Sequence, residues 1–375
     1  MRRLILLCIL FFGVAAVISA QDKPNEEAAR EALANAKAHY WTNTQFEQAL
    51  EDIDAALELD PFLVEAYAYK GAVYRVQGEF EQAEKQFGIA LEIDSQSGIA
   101  LSMRSRLRVL TDSMVALADA NRGIELDPDS AVTYYNRGMV NRSLGDPQGA
   151  IADFDQAVEL DPDLAAIYFG RGSAYADLGQ FEQAIADFDL AIERNDTFSA
   201  MFTSRGQAYL NINQPEQALE DFNQALVLNP ADLSARQNRG IIFFLSGQLD
   251  AALQDFNAMI EIAPELPGAW INRGNVYFQQ QRYELALDDF DRALELDPEN
   301  VLAYANRGRT FALLGEFELA ISDYDTAIQL ESDFGRAYYE RGLAYQALGD
   351  NEQAQADFDR AEELGFEAPV APPQG

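Results

Sequence analysis

The sequence predicts an all-α fold, a stack of antiparallel helical hairpins, and three observations predict it. First, one pattern returns every 34 residues: Glu-Leu-Asp-Pro runs close at Pro61, Pro128, Pro162 and Pro298, and shifted variants put Pro230 and Pro264 on the same grid. Second, each copy holds two segments of about 14 residues with apolar spacing at i, i+3, i+4 and i+7, the spacing of a helix face. Third, small residues recur at fixed places in both segments. A period of this length is the signature of a repeat array, in which each unit touches only its neighbours.

Counting back from the prolines gives ten copies: 30–63, 64–97, 98–130, 131–164, 165–198, 199–232, 233–266, 267–300, 301–334 and 335–368. Within each copy the elements follow in order. In repeat nine, helix A is predicted over 302–314 and helix B over 318–330, with Gly315 at the break because a residue without Cβ accepts positive φ. The Asp-Pro pairs stop helix B, since Asp suits a turn and proline disfavours helix in the residue before it. Gly138, Gly172, Gly206, Gly240, Gly274, Gly308 and Gly342 share one position in helix A, and Ala150, Ala184, Ala218, Ala252, Ala286, Ala320 and Ala354 share one in helix B. These mark where the two helices approach. Aromatic residues at the head of helix A and inside helix B (Phe154, Phe188, Phe222, Phe256, Phe290, Tyr324 and Phe358) fill the space between and read as core. Helices this short are marginal alone, so stability must come from stacking.

The cleanest copy reads Trp270-x-x-Arg273-Gly274-x-x-Tyr277, then Ala286-x-x-x-Phe290-x-x-Ala293, then Pro298. This resembles the tetratricopeptide repeat over nearly the whole chain, with Arg where the family has Leu. The resemblance implies a right-handed α-α superhelix whose concave wall is lined by helix A. Carried onto this chain, the family's wall positions give Tyr135, Asn136, Phe169, Asn238, Phe244, Asn272, Asn275, Phe278, Asn306, Arg309, Arg336 and Tyr339 as candidate groove residues. Amides pair with a peptide backbone and aromatic rings receive apolar side chains, which suits an extended peptide or a partner helix. The family's two-carboxylate clamp is incomplete here: Asn275, Asn306 and Arg336 match it, but Ile271 stands where it has Lys and Glu340 where it has Arg.

Arg104, Arg137, Arg171, Arg205, Arg239, Arg273, Arg307 and Arg341 occupy one helix-A position. In the same copies Asp119, Asp153, Asp187, Asp221, Asp255, Asp289, Asp323 and Asp357 occupy one helix-B position. Repeat two has Lys70 and Gln86 instead and lacks both. Joint presence predicts a structural Arg-to-Asp ladder, because guanidinium forks match carboxylates. A second acid often follows two residues later, as in Asp153 and Asp155. Two residues apart on a helix the pair points about 200° apart and cannot converge on one ion. No metal or cofactor is expected. His39 reads as a surface or packing residue, and no catalytic constellation is visible, so an enzyme is not expected.

Repeat three is one residue short, with Arg108, Ala120 and Gly123 replacing the tyrosine, the aromatic and the alanine, and is expected to be kinked or loosened. In the last copy Gln355 and Glu362 replace apolar residues, the polar outer face that a terminal repeat requires. Gly365 then closes the helix, and 369–375 reads as a disordered tail.

The first twenty residues have the layout of a secretory signal peptide: Arg2 and Arg3, an apolar run from Leu4 to Ile18, then Ser19-Ala20, with 21–29 as a lead-in. The alternative is an uncleaved anchor, for which the run is short. Cys8, the single cysteine, lies inside it. The expected location is therefore extracytoplasmic. Without Arg2 and Arg3 the chain has 25 basic and 62 acidic residues, a net charge near −37. Such a field repels phosphate backbones, which excludes nucleic acid as a partner. The expected role is a protein-binding scaffold; homo-oligomeric self-assembly and a small-molecule receptor are the alternatives.

Overall fold

A computed structural model of the chain describes residues 23–367. The signal segment, Cys8 and the C-terminal tail lie outside the described residues. Among those described, twenty helices follow one another with no strand. None of them is long and apolar enough to cross a membrane. The described residues divide into two compact units, the first ending at Leu228 and the second beginning at Asn229. The first holds the helix pairs of repeats one to six, the second those of repeats seven to ten.

Repeat eight shows how the residues make the hairpin. Helix A (Pro267–Gln279) starts with Pro at its first turn, where the missing N–H would have no partner. Helix B (Tyr283–Leu296) ends at Asp297, whose extended backbone leaves the helix just before Pro298. Phe290, fully buried, lies between the helices against Gly274. A Cβ on that glycine would sit 2.7 Å from the Phe290 ring. The same contact recurs between Gly206 and Phe222 and between Gly240 and Phe256. In the first unit Phe154 also meets Gly170 of the next repeat, so one ring welds two hairpins.

Nine of the ten A-to-B turns pass through a left-handed residue. Six use glycine, including the predicted Gly315 at φ 85°, while Asn43, Asn213 and Gln281 take its place at φ 61°, 58° and 59°. Asn tolerates this region through its short polar side chain, but Gln has no such relief.

Repeat three is the exception, with no left-handed residue among the described ones at its A-to-B turn. Its helix A (Gly98–Arg108) is short, yet its two helices press together at Gly98 and Gly123. A Cβ on Gly98 would come 2.7 Å from the Gly123 carbonyl oxygen. These two glycines let the helix backbones approach directly near the start of helix A. Buried Ser102 and Ser105 bond helix carbonyls there. At the C-terminal end Gln355 and Glu362 are exposed, Gly365 has φ 78°, and Phe366 folds back onto Tyr339 of repeat ten.

Candidate functional site

The recurring arginines are structural. Each of the eight donates from Nε and Nη2 to the two oxygens of its helix-B aspartate, as in Arg307 to Asp323 at 2.8 and 2.7 Å. Those hydrogen bonds hold the Arg307 guanidinium above its ordinary range. The third nitrogen reaches backwards into the preceding repeat: Arg171 to Asp155 at 2.6 Å, Arg205 to Asp189 at 2.5 Å, Arg307 to Asp291 at 2.6 Å, and Arg341 to Asp325 at 2.5 Å. Asn121 and Asn257 take the acid's place for Arg137 and Arg273. The two acids of an Asp-Phe-Asp motif such as Asp153 and Asp155 thus serve two different arginines. Repeat two keeps only the backward link, from Lys70 to Asp54.

The head aromatics of helix A add a second tie. Trp270 Nε1 donates to the Pro264 carbonyl at 2.9 Å, and Tyr168 Oη to that of Pro162 at 3.1 Å. The Arg273 guanidinium lies 4.9 Å from the centre of the Trp270 ring. Neither the backward link nor this tie was predicted. The sixteen-residue spacing from Asp155 to Arg171, equal to that from Arg171 to Asp187, was the signal for the first.

In the second unit the structure joins several of the predicted wall residues. Asn306 Nδ2 donates to Asn275 Oδ1 at 3.0 Å, and Arg336 Nη2 donates to Asn306 Oδ1 at 3.4 Å. Arg336 Nε then donates to Glu340 at 2.9 Å, and the Tyr324 hydroxyl donates to the other Glu340 oxygen at 2.9 Å. A line of polar groups therefore crosses the A helices of repeats eight, nine and ten. Beside it the exposed Arg309 stacks 5.0 Å from the Phe278 ring centre, and Asn272 is partly exposed. Glu340 neutralises Arg336, so the clamp geometry fails here by charge as well as by sequence. Tyr339 is held between Phe358 and Phe366.

Other predicted residues are used internally. Asn136, 2% exposed, donates to Ser102 of repeat three at 3.2 Å and cannot meet a ligand, a correction to the expectation. Burial between two stacked A helices is the reason. Tyr135 is also buried, edge-on to Trp41 at 5.4 Å. Phe169 is partly exposed beside Phe188 and Phe198. Asn238 bonds the Ser234 carbonyl of its own helix, and Phe244 packs on the core around Phe256. His39 pairs with Asp52 at 2.8 Å. Among the described residues no three His, Cys, Asp or Glu side chains are placed to hold a metal ion.

Stacked helical hairpins with a glycine-against-phenylalanine seam define an α-helical repeat protein. The chain belongs to the tetratricopeptide repeat family. Sequence models described as tetratricopeptide repeat match residues 33–98, 106–165, 135–200, 205–273, 267–300, 290–322 and 335–364, and one described as TPR repeat matches 308–349. Among solved structures, the C-terminal part of a TPR repeat-containing protein from Cytophaga hutchinsonii is 20% identical. It covers 61% of this chain and 95% of that one, with a TM-score of 0.51. The Cut9–Hcn1 hetero-tetramer of APC/C is 15% identical over 84% of this chain and 86% of that one, at 0.50. YrrB, a TPR protein with an unusual peptide-binding site, is 30% identical over 49% of this chain and 95% of that one, at 0.43.

Proposed function

We propose that the protein is an extracytoplasmic scaffold that holds an extended segment or helix of a partner protein against its helix-A wall and performs no chemistry. The observation that carries this is the strip in repeats eight and nine, where partly exposed Asn272, Asn275 and Asn306 lie with the Arg309–Phe278 stack. Amides aligned along such a strip can pair with backbone N–H and C=O groups, and the ring beside them offers an apolar contact. The ladder arginines and aspartates are consumed by the fold, whereas the partly exposed Asn275–Asn306 bond can be exchanged for bonds to a partner. The N-terminal basic, apolar and small-residue sequence supports export.

The test is capture from envelope or medium with the mature chain and with an Asn272→Ala, Asn275→Ala, Asn306→Ala variant. The partner is expected to be lost from the variant while its melting curve stays unchanged. Equal capture by both, or capture of nothing specific by the native chain, would overturn the assignment.

A further inference from the structure

The first unit contains a cavity of about 320 Å³, at the lower end of ligand-pocket size. Aromatic rings form much of its wall, including Trp41, Tyr135 and Phe169. Three arginines face it: Arg75, Arg106 and Arg142. They differ in one respect. Arg142 is neutralised by Asp177, to which its Nε and Nη2 donate at 2.5 and 3.2 Å. Arg75 and Arg106 have no carboxylate partner among the described residues, and their companions are tyrosines. Tyr40 and Arg106 lie near Arg75, and the Arg106 guanidinium lies 5.2 Å from the centre of the Tyr135 ring. Burial pushes the Arg75 guanidinium below its ordinary range, and the positive charge of Arg106 pushes it further.

Two like charges without carboxylate partners facing one ring-lined space repel each other; burial is not offset at Arg75, whereas at Arg106 the neighbouring tyrosines outweigh it and hold the guanidinium above its ordinary range. The eight ladder arginines of helix A are each paired with an aspartate, and the chain carries a net charge of −35, so acids to neutralise these two are abundant. Their absence from this cavity leaves room for an anion from outside. The wall selects which anion. A highly charged polyanion is repelled by the surrounding acids, whereas a single carboxylate satisfies two guanidinium forks and its apolar body is received by the rings.

We propose that this cavity binds a carboxylate carrying an aromatic or apolar body, with Arg75 and Arg106 as its guanidinium partners and Trp41, Tyr135 and Phe169 around the body. The carboxylate belongs either to a free small acid or to the C-terminal residue of a peptide. Calorimetric titration of the full chain separates these sources with four probes: phenylbutyrate, its neutral analogue phenylbutyramide, and acetyl-Ala-Ala-Phe as free acid and as amide. Each acid that fits is expected to bind at least about tenfold more tightly than its amide. Binding of phenylbutyrate identifies a small-acid site, and binding of the peptide acid alone identifies a C-terminus site. Arg75→Met and Arg106→Met are each expected to lower the affinity at least about tenfold while the unliganded melting temperature holds or rises, since each removes an unpaired charge. Acids and amides that bind equally, or variants that bind as the native chain does, would overturn the site. So would the failure of both acids to bind at about 10 mM. If a variant fails to fold, the acid–amide comparison on the native chain decides alone.

Discussion

Two glycines of one helix should respond in opposite directions to the same substitution. Gly268 and Gly274 both lie in helix A of repeat eight, six residues apart. A Cβ at Gly268 meets nothing within 4 Å, and its backbone is not left-handed. Gly268→Ala therefore gains only the lost freedom of the unfolded chain, about 0.4–1 kcal/mol of stability. At Gly274 the new methyl would sit 2.7 Å from Phe290 Cε1 and 3.1 Å from two further ring carbons. That is roughly 1 Å inside an ordinary carbon–carbon contact. The ring cannot yield easily, because Phe290 is fully buried among Ile271, Ala286, Ala293, Leu294 and Ala303. Overpacking of this kind costs about 1–3 kcal/mol, which exceeds the propensity gain of about 1 kcal/mol. Gly274→Ala should therefore destabilise by up to about 2 kcal/mol net. Urea unfolding followed by circular dichroism measures both, with a separation of about 2 kcal/mol expected between the variants. Phe290→Leu should reduce the cost of Gly274→Ala, because it removes the ring atoms in question. Equal stability of the two glycine variants would refute the account of the seam.

Three further substitutions or conditions test the rest of the architecture. Arg307→Met strands the Asp323 side chain, only 7% exposed, and should cost about 3–5 kcal/mol in urea unfolding, whereas Asp291→Asn, at a carboxylate 56% exposed, should cost under about 1 kcal/mol. Gln281→Gly relieves a left-handed glutamine and should raise stability by about 1 kcal/mol, against no gain if the turn is unstrained. Burial raises the hydroxyl pKa of Tyr69 and Tyr324, so the folded state keeps protons that the unfolded state releases. Stability should be complete below about pH 10 and fall above it, and Tyr69→Phe should flatten that fall in thermal melts across alkaline pH.

The fold was legible because its determinants are local and repeated. The glycine and alanine positions, the aromatic wedge and the Asp-Pro stop each appear many times in register, and each does what its chemistry suggested. The in-repeat Arg-to-Asp pair was legible for the same reason. Its backward arm was harder to see, because it joins residues of different repeats and was obscured by reading Asp153 and Asp155 as one pair. The close approach of Gly98 and Gly123 in repeat three was not legible, because it joins two glycines that share no position with the glycine and alanine sets of the other copies. The wall residues were the least legible. A repeat position fixes which way a side chain points but not what the neighbouring repeat does with it, and Asn136 is buried by Ser102 for that reason.

Function in such an array should therefore be sought where a copy breaks the rule the others obey. An arginine in register such as Arg307 is committed twice over, to its own helix B and to the preceding one. Arg75 and Arg106 are out of register, one in the copy that lacks the ladder and the other in the short copy. Helices committed to stacking have little tolerance for a cation without a carboxylate, because ring contacts such as that of Arg106 with Tyr135 are all the fold supplies against its desolvation. Two such residues facing one ring-lined space are thus better explained by a ligand than by packing, and the acid–amide comparison addresses that distinction directly.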